Sequence, residues 1–209
     1  ESAVSNMAGL ALGTTTINHD FSLNANDKMT VTENSTLTVS GTLSNSNPEH
    51  LILEGGAQLI NDSEDVKATV KKTITPPSAN DYGWYFIAAP VTESITSSEE
   101  NGFLNGTAES NTYDLYYYDE PDHKWMNHES SAFSLMPQKG YLYANEATNG
   151  TTLQFTGTLT PSNSSVTING LSHIASSLNG FNLVGNPFAC NATVNKDFYV
   201  VDNTTGKVI

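Results

Sequence analysis

From residue 14 to residue 75, apolar side chains arrive in short bursts of alternation. Met29-Thr30-Val31 and Leu37-Thr38-Val39 each set two apolar side chains on one face and a threonine on the other. Leu51-Ile52-Leu53 and Gln58-Leu59-Ile60 stand on either side of Gly55-Gly56, and Ala68-Thr69-Val70 with Ile74 closes the series before Pro76-Pro77. Strands this short and evenly spaced, with Asn-rich corners between them, predict successive rungs of a β-solenoid. A plain antiparallel meander is the alternative. Three rungs are few for burying a stacked core, so this region is expected to rest on the one that follows.

Pro76-Pro77-Ser78-Ala79-Asn80-Asp81 reads as a boundary, because proline cannot donate to a sheet ladder and the polar residues after it carry turn chemistry. Beyond it the apolar pattern changes. Residues 84–88 form a near-continuous apolar run, predicting a strand buried on both faces. Residues 113–118 and 141–143 predict aromatic strands, and 153–159, 165–168, 181–184 and 198–201 predict four more. Residues 90–112 are polar, with two Asn-Gly pairs, and predict a long loop with at most one helical turn.

The second region also repeats itself. Gly83-Trp84-Tyr85-Phe86-Ile87-Ala88-Ala89-Pro90-Val91 returns as Gly180-Phe181-Asn182-Leu183-Val184-Gly185-Asn186-Pro187-Phe188. Asp114-Leu115-Tyr116-Tyr117-Tyr118-Asp119 returns as Asp197-Phe198-Tyr199-Val200-Val201-Asp202. The second copy ends at Ile209 with no counterpart to Gly140-Tyr141-Leu142-Tyr143 or to Phe155-Thr156-Gly157, and for want of the latter a sheet edge near residues 198–209 is expected to be open. The expected fold is all-β, with a short solenoid-like N-terminal region (1–77) packed on an antiparallel β-sandwich (78–209) that carries an internal duplication.

Composition narrows the partners. Eight Lys and no Arg stand against 22 Asp plus Glu, a formal charge of −14. Phosphate binding needs clustered cations, so nucleic acid is excluded as the expected partner and anionic membrane surfaces are disfavoured. No apolar run is long enough to span a bilayer, and no membrane insertion is expected. Cys190 is the only cysteine, so no intrachain disulfide forms. The Asn-, Ser-, Thr- and Gly-rich wording, with Asn-Gly turns at 101, 105, 149, 169 and 179, is typical of extracellular β proteins.

Certain phrases carry a resemblance. Val66-Lys67-Ala68-Thr69-Val70-Lys71-Lys72 leading into Gly83-Trp84-Tyr85-Phe86-Ile87 and Pro90 resembles secreted multidomain proteins of the Bacteroidetes. So do Lys139-Gly140-Tyr141-Leu142-Tyr143-Ala144-Asn145 and Asn182-Leu183-Val184-Gly185-Asn186-Pro187-Phe188. The resemblance implies a β fold and an extracellular or outer-surface address, in surface adhesins or as accessory modules of secreted proteases. It brings no catalytic residues with it.

Each candidate chemistry has a plain structural alternative. His123 and His128 stand among Asp119, Glu120, Asp122 and Glu129, a set that could hold zinc, but Pro121-Asp122 reads as a hairpin turn. Asn24, Asn26 and Asp27, and again Asp62, Glu64 and Asp65, could hold calcium at a corner, or be solvated turn residues. Cys190 with His173 as base is a conceivable thiol pair, yet Phe188-Ala189-Cys190 reads as the buried end of a strand. No nucleophile elbow, phosphate loop or zincin helix occurs. No catalytic residue, metal or cofactor is therefore assigned. The aromatics carry the remaining pull: Tyr116 and Tyr118 share one strand face, and Trp125, just past a tight turn, should lie across from them. Planar rings exposed beside Asp and Asn suit stacking on a sugar. The first expectation is a non-enzymatic surface module, scaffold or adhesin-like, with a glycan or protein ligand at the cell surface. The alternatives are a carbohydrate-binding module using Tyr116, Tyr118 and Trp125, and an accessory domain of a secreted peptidase.

Overall fold

The computed structural model describes residues 9–75, 83–103, 113–145, 150–174 and 180–193. Among these the fold is all-β, with one 3-10 turn at Pro48–His50 and no α-helix. The first half of the chain forms β1 (Leu10–Leu12), β2 (Thr15–Ile17), β3 (Phe21–Ser22), β4 (Met29–Val31), β5 (Thr36–Val39), β6 (Leu43–Ser44), β7 (Leu51–Leu53), β8 (Gln58–Asn61) and β9 (Lys67–Ile74). The second adds β10 (Tyr85–Ile87), β11 (Tyr113–Asp119), β12 (Lys124–Asn127), β13 (Tyr141–Asn145) and β14 (Thr151–Thr158).

Strands β1 to β9 do not make hairpins. They pair in parallel with strands one turn of chain further on, in three ladders: β1-β4-β7-β9, β2-β5-β8 and β3-β6. Thr15 faces Leu37, Thr36 faces Gln58 and Met29 faces Leu51. The period-2 pattern explains the stack: each strand turns its apolar side chains inward, so like sits on like. Met29, Val31, Leu37, Leu51 and Leu53 are all completely buried. Side-chain amides satisfy the corners. Asn61 donates to the Val39 carbonyl at 3.2 Å and Asn45 to that of Lys67 at 2.6 Å, each bridging 22 residues of chain. Gly41 is required by closeness, since a Cβ there would run into the backbone of His19 and Asp20 on the preceding turn.

The two halves share one sheet. Strand β14 pairs antiparallel with β9 along all eight of its residues, from Thr151 opposite Ile74 to Thr158 opposite Lys67. In consequence an apolar row, Leu12, Val31, Leu53, Val70 and Phe155, crosses all five strands on one face. Past β9 that face covers the inner side of the four-stranded antiparallel sheet β10-β13-β11-β12, with Phe103 between them: its ring lies 6.3 Å from Phe155 and 5.5 Å from Tyr143. Strand β8 is covered in turn, because Leu59 N–H donates to Ala189 O and Asn61 exchanges bonds with Ser162.

Several expectations are corrected. Residues 84–88 are not buried on both faces: β10 has only β13 as neighbour, and Phe86 remains 70% exposed. Residues 165–168 form no ladder, and 181–184 contribute a single bridge, Lys139 to Val184, so the second copy of the repeated phrase does not rebuild the first as a strand. Residues 151–158 join the sheet of the first half because β9 offers them an eight-residue edge. The strand expected at 198–201 and the open edge at 198–209 lie outside the described residues, as does the boundary at 76–81.

Candidate functional site

Pairing in the order β10-β13-β11-β12 gives the antiparallel sheet two distinct faces. Ile87, Tyr141, Tyr143 and Leu115 point inward and are buried. Strand alternation sends the intervening residues outward. Phe86, Leu142, Tyr116 and Asn127 lie in register across all four strands, and Tyr118 stands directly opposite Trp125. The Tyr118 and Trp125 rings meet edge to face at 5.4 Å, and Trp84 tilts against Tyr116 at 5.9 Å.

The three residues singled out in the sequence are thus brought to one face. Trp125 is 43% exposed, while Tyr116 and Tyr118 are half-buried. Two residues read as core join them: Trp84, 48% exposed, and Phe86. Their signal was present as period-2 spacing of large aromatics, but the apolar residues between them hid it. Tyr117 turns the other way, against Phe133 at 4.9 Å, with the Lys139 ammonium 3.7 Å from its ring centre. Burial lowers the Lys139 pKa, and the charge of Asp119 opposes that shift.

Polar groups fix the platform. The Tyr116 hydroxyl accepts from Asn127 Nδ2 at 2.8 Å and donates to Asp114 Oδ1 at 3.3 Å. Burial raises its pKa, and the Asp114 charge adds to the rise. Asn127 in turn accepts from the Glu129 N–H.

At one end of this face lies a cleft of about 590 Å³. Strand β11 pairs with β13 only as far as Tyr116 opposite Leu142. Just before β13, residues 138–140 pair with 183–185: Gly140 N–H donates to Leu183 O at 2.9 Å, and Gly185 N–H to Gln138 O at 2.8 Å. Gly140 permits that approach, since a Cβ would stand 2.6 Å from Leu183 Cγ. Tyr118, Glu120, Gln138, Lys139 and Asn182 line the cleft, with the exposed Met136 and Leu171 among its walls.

Glu120 is 2% exposed, and its Oε1 accepts from the N–H groups of Ile174 at 2.7 Å and Gly180 at 3.1 Å. Burial pushes this carboxyl up, but those two N–H groups, the Ser172 hydroxyl and the nearby His123 outweigh it and hold the pKa below the usual carboxylate range. Its Oε2 and the Tyr118 hydroxyl oxygen are both buried without a hydrogen-bond partner among the described residues. Both oxygens are sealed from solvent, and unpaired ones are unusual, because buried polar groups in folded proteins are nearly always bonded.

The remaining candidates take structural places. His123 sits in the turn between β11 and β12 in the left-handed region (φ 53°), whereas His128 packs on Phe133 and contacts Tyr113 and Ser97. The Asp27 carboxylate accepts from the Asn24 N–H at 2.7 Å, closing its own turn. Asp62, Glu64 and Asp65 line a corner together with Asn24. Cys190 is half-buried in a bend rather than at the end of a strand, and lines a second cavity of about 450 Å³ with Val70 and Phe86. His173 packs beside Gly180. Among the described residues, no three His, Cys, Asp or Glu side chains converge as metal ligands would, and no helix is long and apolar enough to cross a membrane.

The face and cleft belong to an all-β protein with both stacked parallel and antiparallel sheets. No family model, no curated protein and no solved structure matches the chain significantly.

Proposed function

We propose that this chain is a non-enzymatic carbohydrate-binding module of a secreted or cell-surface protein. The observation that carries the reading is the aromatic outer face of the antiparallel sheet, where Trp84, Phe86 and Trp125 stand exposed around Tyr118 and the Tyr116 that Asn127 anchors. Exposed large aromatics gathered on one sheet face mark an interaction surface. Planar rings on a rigid sheet suit the apolar face of a pyranose, and Asp114 and Asn127 stand beside them for its hydroxyls. The extracellular setting is supported by the Asn-, Ser- and Thr-rich composition and the resemblance to secreted Bacteroidetes proteins.

A glycan-array screen of the chain beside a Trp84→Ala, Trp125→Ala double variant tests the reading. Both side chains are exposed, so the variant should keep the wild-type circular dichroism. We expect binding by the wild type and at least roughly tenfold weaker binding by the variant, the loss of about two aromatic contacts. A wild type that binds no glycan would leave the scaffold or adhesin-type reading in its place.

A further inference from the structure

We propose that the aromatic outer face of the antiparallel sheet selects glycans built of protonated amino sugars, with an ammonium group seated on the Trp84 and Tyr116 rings beside the Asp114 carboxylate. This rests on the carbohydrate-binding reading and names the class of sugar that the face prefers.

Strand alternation sorts the charges of this sheet. Asp114 shares the parity of Tyr116 and Tyr118 on β11, so its carboxylate stands on the outer face with their rings. Lys124 lies opposite Asp119, one step past the Tyr118–Trp125 pair, so its parity is that of the inner face, and its ammonium is bonded to Asp122 at 2.7 Å. Lys139 also lies on the inner side, its ammonium 3.7 Å from the Tyr117 ring centre. Among the outward positions of β10 to β13, Asp114 is the only charged residue. Glu129 is exposed two residues beyond Asn127. Burial, the Asp114 charge and the Glu129 charge all push the Tyr116 phenol up, so both carboxylates act at this spot. Among the described residues neither has a cationic partner.

The rings ask for the same ligand. Tyr116 joins the parts: its ring lies 5.9 Å from that of Trp84, and its hydroxyl donates to Asp114 Oδ1 at 3.3 Å. Asp114 Oδ2 is left without a hydrogen-bond partner among the described residues. A cation is drawn to the negative face of an indole or phenol ring as well as to a carboxylate. An amino sugar carries both an ammonium group and an apolar ring face, so it uses charge and stacking together. A neutral sugar would use the stacking alone, and a uronic or sialic acid would be repelled by Asp114 and by the −14 of the whole chain. A basic peptide would feel the same attraction, but a lysine side chain has no flat apolar face to match the exposed Phe86 and Trp125.

Calorimetric titration of the chain with linear hexasaccharides of glucosamine, N-acetylglucosamine and glucose, at mildly acidic pH, tests this directly. We expect the glucosamine chain, its amines protonated, to bind about tenfold tighter than the other two, and added salt to shrink that lead. Asp114→Asn keeps an oxygen for the Tyr116 hydroxyl and should cut the lead several-fold. The Trp84→Ala, Trp125→Ala variant should lose the binding. Neutral hexasaccharides bound as tightly as the charged one, or a lead unchanged in Asp114→Asn, would overturn the selection of amines and leave the platform standing. Glucosamine binding undiminished in the double variant would trace the attraction to the net charge and overturn the proposal. A lysine hexapeptide that binds as tightly as the glucosamine chain would overturn it in favour of a basic peptide. Silence from all three sugars would overturn this proposal and the carbohydrate reading together.

Discussion

Single residues show how little of this fold tolerates a lost partner. Asn61 is nearly buried; its amide donates to the Val39 carbonyl and its carbonyl accepts from the Ser63 N–H. Asn61→Ala should therefore cost about 1–3 kcal/mol in urea unfolding, the typical cost of leaving buried backbone groups unpaired. Tyr143 is a second case. Burial pushes its phenol up to about 12, even though Asn145 donates to it at 2.7 Å. The folded state thus holds a proton that the unfolded chain releases near the ordinary value of 10.0. Stability from this group is whole below that value and is lost as pH rises from there through the folded pKa. Thermal denaturation across alkaline pH should show that decline, and Tyr143→Phe should make it shallower. An unchanged slope in the variant would assign the decline to other groups.

At the scale of elements, spacing decides between stacking and hairpins. Short strands separated by polar corners would serve a meander equally well, but a meander would place neighbouring strands antiparallel. The parallel register, turn upon turn, leaves no room at Gly41, where the chain crosses His19. Gly41→Ala should destabilise the protein by about 1–3 kcal/mol, as overpacking does, whereas the same change at the open Gly13 should be near neutral. Equal effects at the two positions, measured by chemical denaturation, would contradict the close approach. The Tyr113–Asp119 strand illustrates the opposite limit: its aromatic run announced a strand, yet which rings faced outward depended on Leu115 turning toward Tyr143.

For the whole molecule, the eight-residue pairing of β9 with β14 makes the stacked and antiparallel regions one sheet with a continuous core. Cooperative unfolding follows. Trp84 and Trp125 both report the second region, while far-UV circular dichroism reports all strands, and the two signals should give a single coincident transition. Phe155→Ala, which empties the junction under Phe103, should lower the midpoint of both together and cost about 3–5 kcal/mol. Two separated transitions would show instead that the regions fold independently.

The sequence by itself determined the all-β class, the short strands of the first half, the aromatic strands of the second, and the set Tyr116, Tyr118 and Trp125 as neighbours on one face. All of these follow from local periodicity and turn chemistry, which act over a few residues. Only the tertiary structure decided that residues 151–158 pair with β9, that Trp84 and Phe86 are exposed, and that Glu120 is buried beside Tyr118 at a cleft. Each of these depends on which distant segment covers a strand's edge or face, and partners from 54 to 91 residues away leave no periodic mark on the strand they meet. The repeated phrase at 83–91 and 180–188 makes the point most sharply: two related phrases, each opening on Gly and an aromatic and closing near Pro, became a strand in one place and a single bridge in the other, where the available neighbours differed.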